Sequence, residues 1–253
     1  MRDDTREEAH TLATEYFQSG LQKFMEGLHD YAQADFEKAL DFDPTIALAY
    51  CYLSTIHSER GECDRAVELC YRGLEHDPDN HYLHFCLGVA LDQQGLKKEA
   101  IDAYLYYHQV EPHDAECIFS IGCAYDAMGQ SAEARTYYEK AIAQNGHHYK
   151  ALFNLGLMHT DQGDLEQAME LFHRAVQIKA DYWKAWVKLG IVCSRMGKIQ
   201  QAVHAYQRAA DLSPKIPDVW FNLGLSHRSL GQVEEAIVAF EQAVGLVPGD
   251  LEA

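Results

Sequence analysis

The chain has 253 residues, 47% of them hydrophobic, and a formal net charge of −18. It is long enough for a continuous core, and its acidity argues against nucleic acid as a partner, which calls for a basic face. No stretch approaches the roughly 18 consecutive apolar residues that a membrane span needs, and the polar opening MRDDTREEAH has no apolar segment of the secretory type. The seven cysteines (51, 63, 70, 86, 117, 123 and 193) are odd in number and form no CxxC pair, which points to a reducing, cytoplasmic compartment with the thiols as small core fillers.

Residues 1–12 read as an N-terminal helical extension or cap, in which Thr5-x-x-Glu8 has the form of a capping box. From residue 13 a strict period of 34 takes over. Glycine recurs at 27, 61, 95, 129, 163, 197 and 231, with alanine five places later at 32, 66, 100, 134, 168, 202 and 236. Such a period signals a solenoid in which one supersecondary unit stacks on the next. The units run 13–46, 47–80, 81–114, 115–148, 149–182, 183–216 and 217–250, with 251–253 as a tail or the start of a further helix.

Within each unit the glycine stands at place 15 and ends a first helix, because it adopts the left-handed conformation common at helix C-termini. Leu152, Leu155, Leu157 and Met158 give the apolar spacing of that helix in the fifth unit; Ala168, Leu171, Phe172, Ala175 and Val176 give that of the second. Place 8 is also glycine in six units, Ser54 being the exception. A mid-helix glycine costs about 1 kcal/mol relative to alanine, so the column implies close approach of a neighbouring helix, with the alanine of place 20 as the facing small residue. Proline at 44, 78, 112, 214 and 248 stops the second helix. Place 27 is small in six units but Tyr107 in the third; overfilling that column should push units three and four apart and change the local pitch.

These columns resemble the tetratricopeptide repeat, whose pattern is W-x2-L-G-x2-Y, then A-x3-F, then P. The seventh unit carries Trp220, Leu223, Gly224, His227, Ala236, Phe240 and Pro248; the first carries Tyr16, Gly20, Ala32, Phe36, Ala39 and Pro44. The resemblance implies an all-α, right-handed superhelical solenoid of seven repeats. It implies a non-catalytic scaffold or adaptor with no cofactor, whose first helices line a concave groove through places 2, 5, 6, 9, 12 and 13.

Along that groove the first half offers Phe17, Tyr52, Tyr82, Phe85 and Phe119 among acidic residues. The second half offers Lys150, Phe153, Asn154, Lys184, Lys188, Arg195, Phe221, Asn222 and Arg228. Charge follows the same division: residues 1–126 hold 9 Lys and Arg against 25 Asp and Glu, and residues 127–253 hold 12 against 14. A partner peptide with acidic and apolar segments fits this division, the acidic part meeting the Lys/Arg group and the two asparagine amides holding its backbone. The lysine–asparagine clamp with which some related proteins hold a C-terminal carboxylate is not met, since place 5 is Phe or Val and place 9 is Leu157, Ile191 or Leu225.

Asn154 and Asn222 also resemble groove residues of O-linked N-acetylglucosamine transferases, which makes the recognition region of a larger enzyme an alternative. Ile237, Phe240, Val244 and Val247 of the last helix lack a visible cover, which makes self-association another. His81-x-x-His84 with Cys86 is the nearest approach to a metal-ligand spacing, and no metal or catalytic set is expected; His57, His159 and His227 at place 11 read as packing residues.

Overall fold

A computed structural model describes residues 2–246, with side chains from Glu8 onward. Fourteen α-helices and no strand occur among the described residues. They form seven consecutive pairs: α1 (Arg2–Met25) with α2 (His29–Phe42), α3 (Ala47–Glu59) with α4 (Cys63–His76), α5 (His81–Gln94) with α6 (Lys97–Val110), α7 (Ala115–Ala127) with α8 (Ser131–Gln144), α9 (Tyr149–Gln162) with α10 (Leu165–Ile178), α11 (Trp183–Arg195) with α12 (Ile199–Leu212), and α13 (Pro217–Ser229) with α14 (Val233–Leu246). The chain divides within α8 into two compact units, one ending at Ala134 and the other beginning at Arg135. In the first, α2 packs on α3, α4 on α5 and α6 on α7; in the second, α10 packs on α11 and α12 on α13.

All seven glycines of place 15 have positive φ, between 73° and 85°. Gly95 shows what this achieves: at φ 85° it caps α5, its N–H reaching the carbonyl of Asp92 while the next N–H reaches Leu91. The helix therefore closes its last carbonyls and the chain reverses into α6. Each second helix that precedes a described proline ends two residues before it, α2 at Phe42 and α12 at Leu212 for example; Pro248 lies outside the described residues. α1 begins at Arg2, so Thr5 lies inside the helix and not at its start, and its side chain is not among those described.

The place-8 glycines meet an aromatic ring more closely than the alanine of place 20, whose carbonyl lies 3.3 Å from a Cβ built on Gly20 in the first unit. A Cβ on Gly88 would sit 2.6 Å from the Tyr104 ring, on Gly190 2.7 Å from Tyr206, and on Gly224 2.6 Å from Phe240. The facing group is the aromatic ring of place 24, lying flat on the helix where a side chain would stand. The one exception follows from this contact. In the second unit place 24 is Cys70, which is too small to fill the gap, and Ser54 fills it instead, with the two side chains 3.1 Å apart.

Tyr107 is buried, but its ring turns back into its own helix pair, 4.9 Å from Phe85 and 5.8 Å from His81, and its hydroxyl donates to Asp114 at 2.8 Å. Asp114 in turn caps α7, accepting from the N–H groups of Glu116 and Cys117. The oversized residue thus joins the third unit to the start of the fourth. In the first unit of the fold, the core gathers Phe36, Tyr50, Leu53, Ile56 and Leu83, with Phe17 and Phe24 packed against it. Burying a side chain such as Phe36 contributes about 1.5–3 kcal/mol.

Candidate functional site

The residues of the expected groove fall into two separate sets. In the first compact unit the aromatics serve mostly as packing. Phe17 lies 5.7 Å from Phe36, Phe85 lies 5.7 Å from Tyr104, and Tyr52 stacks on Phe36 at 5.2 Å. Phe119 is buried. Tyr82, at 47% exposure, is the aromatic of this set with the most open surface. Two acids of this face have partners within the unit: Glu59 contacts the His29 ring at 3.0 Å, and Asp92 pairs with Lys97 at 2.8 Å.

The second compact unit is different. Lys184 and Lys188 lie one turn apart on α11, with Arg195 two turns further along, and Arg228 stands on α13. None of these four cations reaches a carboxylate within ion-pair distance among the described residues; Lys184 rests instead over the Trp183 ring, 5.9 Å from its centre. Lys150 stands exposed in the first turn of α9. Asn154 and Asn222, equivalent in the repeat, have different surroundings. Asn154 donates to the Tyr138 hydroxyl at 3.1 Å, which ties it to α8, whereas the Asn222 amide meets no protein group and is available to a peptide backbone. Phe153 is buried against Phe172 and Tyr182, while Phe221 is 49% exposed.

The histidines of place 11 share a role beyond packing. His57 pairs with Glu62, His159 with Asp164 at 3.2 Å, and His227 with Gln232 at 2.7 Å, in each case the residue five positions on. The imidazole thereby ties the last turn of the first helix to the entry of the second. In the first helix pair place 11 is Lys23, which with Ser19 bonds the buried Asp35. Burial alone would raise the Asp35 pKa, but these bonds and the lysine charge outweigh it and hold the carboxyl below its ordinary value. Buried thiols go the other way: burial pushes Cys70 and Cys117 up to about 12. His81 and His84 do not converge. His81 rests on Tyr82, His84 stacks on Tyr106 at 3.8 Å, and no group of three metal-ligating side chains occurs among the described residues. No helix among them is long and apolar enough to cross a membrane.

Antiparallel helix pairs repeated at a fixed period define a helical-repeat solenoid, a class whose exposed first-helix side chains act as an interaction surface. The tetratricopeptide repeat model matches residues 52–111, 119–182 and 187–250, and the chain belongs to that family. No curated protein sequence matches it. Among solved structures, pilF of Pseudomonas aeruginosa is similar over 89% of this chain and 98% of its own, with TM-score 0.74 and 20% identity. A tetratricopeptide repeat protein from Parabacteroides merdae covers 95% of each chain, with TM-score 0.65 and 15% identity. YrrB, described as a tetratricopeptide repeat protein with an unusual peptide-binding site, covers 71% of this chain and 92% of its own, with TM-score 0.55 and 20% identity. Identities this low establish the shared fold alone. Membership of this repeat family supports a protein-interaction scaffold.

Proposed function

We propose that the chain is a non-catalytic scaffold that takes an acidic segment of a partner protein along α9, α11 and α13 of its second compact unit. The observation that carries this reading is the set Lys184, Lys188, Arg195 and Arg228, four cations without carboxylate partners in a chain of net charge −18. An unneutralised cluster that a general excess of Lys and Arg cannot explain raises the local concentration of anionic ligand. Asn222 supplies a free amide for the ligand backbone, and Phe221 is the open aromatic surface of this unit for its apolar residues. A peptide-binding site in the structurally similar YrrB agrees with this use of the fold.

The test is fluorescence anisotropy with a labelled Asp/Glu-rich peptide containing leucines. Binding should weaken as salt screens it and fall at least tenfold in Lys184→Glu/Lys188→Glu/Arg195→Glu, the equivalent of about 1.4 kcal/mol. Unchanged affinity in that variant, or equal binding of the Asn/Gln version of the peptide, overturns the reading.

A second reading, pairing of two copies through α14, is favoured by the exposure of Ile237 at 52% and Val244 at 69%. Light scattering over a concentration series tests it; a mass equal to the monomer throughout removes it.

A further inference from the structure

Place 11 varies along the chain, and the sixth unit has a pair of its own at places 11 and 16. Where the second, fifth and seventh units join a histidine to an acceptor five residues on, it has Cys193 and Lys198. The thiol is smaller than an imidazole, and the Lys198 amine turns away to the Met169 sulfur at 3.4 Å. A pocket of about 680 Å³ lies there, between α10 and α12 with α11 as its floor, a size within the range of about 300–1,000 Å³ usual for ligand pockets; the equivalent pocket of the seventh unit, lined by Trp220, Leu223 and His227, is smaller at about 430 Å³. The α11 residues that line it, Trp186, Leu189 and Cys193, occupy a different face of the helix from Lys184, Lys188 and Arg195, so the pocket is separate from the cationic surface.

Its chemistry has two parts. The floor is apolar: Leu189 and Cys193 are buried, and the Trp186 indole is held in place by its N–H bond to the Ala180 carbonyl at 2.9 Å and by the His204 ring packed edge-on at 5.8 Å. The α10 wall is anionic. Glu166 and Glu170 stand on successive turns, both exposed, and neither makes an ion pair. Like charges four residues apart on a helix are unfavourable, and a cation set between them relieves that cost. Two cations stand at its margin, the Lys198 amine on the pocket-lining Met169 and the Arg208 guanidinium 5.9 Å from the Trp186 ring centre, and neither pairs with Glu166 or Glu170.

We infer that this pocket is a second docking site, which takes a bulky apolar side chain of a partner protein into the Trp186–Leu189–Cys193 floor and a neighbouring Lys or Arg against Glu166 and Glu170. Its ligand is therefore opposite in charge to that of the first-helix surface of the same unit, and the two sites serve different segments.

Two small probes that differ in charge test it: 2-phenylethylammonium and 3-phenylpropionate, titrated into the isotopically labelled full chain by NMR. The ammonium compound should shift the Trp186 indole resonance saturably while the Trp183 resonance stays in place, and the carboxylate should bind at least tenfold more weakly. Glu166→Gln/Glu170→Gln, which alters only exposed side chains, should weaken the ammonium compound about tenfold and leave acidic-peptide binding at the cationic surface intact. Cys193→His/Lys198→Asp rebuilds the His159–Asp164 arrangement of the preceding unit and should narrow the pocket and weaken the ammonium compound. No saturable shift, equal binding of the two probes, or unchanged binding in the double glutamine variant overturns the inference.

Discussion

The contact between the place-8 glycine and the place-24 ring makes a prediction that opposes helix propensity. Gly88→Ala should stabilise α5 by about 1 kcal/mol if the helix stood alone. In the fold the new Cβ falls 2.6 Å from two carbons of the Tyr104 ring, well inside contact distance. That ring has little freedom to withdraw, being 2% exposed and packed against Phe85. Overpacking of this kind costs about 1–3 kcal/mol, so the upper part of that range outweighs the propensity gain and leaves a net loss of about 1–2 kcal/mol. Gly245 is the control: a Cβ there meets nothing within 4 Å and its φ is not positive, so Gly245→Ala should be neutral or stabilising by up to about 1 kcal/mol. The second unit supplies the rescue. Gly88→Ser/Tyr104→Cys copies the Ser54–Cys70 pair, and its urea-unfolding free energy should exceed the sum of the single-substitution effects by about 1 kcal/mol or more, a coupling of the size expected for residues in contact. If Gly88→Ala proves as stable as the unsubstituted chain, or the two changes are simply additive, the ring does not set the glycine column.

The remaining predictions concern single interactions. Asp35 has a folded pKa below its ordinary value of 3.8, so its ionised form stabilises the fold at pH above that value and the contribution is lost as pH falls through the lowered folded pKa; Asp35→Asn should therefore lower the urea midpoint near neutral pH, and the gap from the unsubstituted chain should shrink on acidification. Tyr107→Phe removes the 2.8 Å bond to Asp114 and should cost about 1 kcal/mol, with hydrogen exchange rising at the start of α7. Cys70 and Cys117, buried and pushed up to about 12, should resist iodoacetamide in the native chain, whereas the half-exposed Cys63 should react first by peptide mapping.

The fold was readable in the sequence because its determinants recur. Gly27 through Gly231 mark a backbone position that only positive φ satisfies, and seven repetitions of one constraint show above any background. Less visible was what each column touches. Gly88 and Tyr104 lie sixteen residues apart, so no column read by itself shows that they meet; yet Ser54 and Cys70, the paired departures in the second unit, carried that information in plain sight. The aromatic stripe shows the opposite case. Phe17, Phe85 and Phe153 occupy positions expected to face a partner, and each is packed on the ring of place 24, since a large flat residue beside a glycine is first of all a means of closing the helix pair. The cations fared differently, because Lys184, Lys188 and Arg195 have no carboxylate within ion-pair distance among the described residues.

The departures from the repeat are therefore better guides to function once they are taken in pairs. At places 11 and 16 a histidine with an acid or amide anchors the next helix through its bond, as in His159 and Asp164. Cys193 and Lys198 replace both members, and the pocket beside them is larger than the equivalent one beside His227, about 680 against 430 Å³. The same unit carries Lys184 and Lys188 on the other face of α11, so one helix pair holds both a ligand-sized pocket and an unpaired cationic surface. A partner that engages this unit from both sides would meet acid-binding and base-binding surfaces a single helix apart, and that juxtaposition follows from two positions at which the sixth unit departs from the pattern of its neighbours.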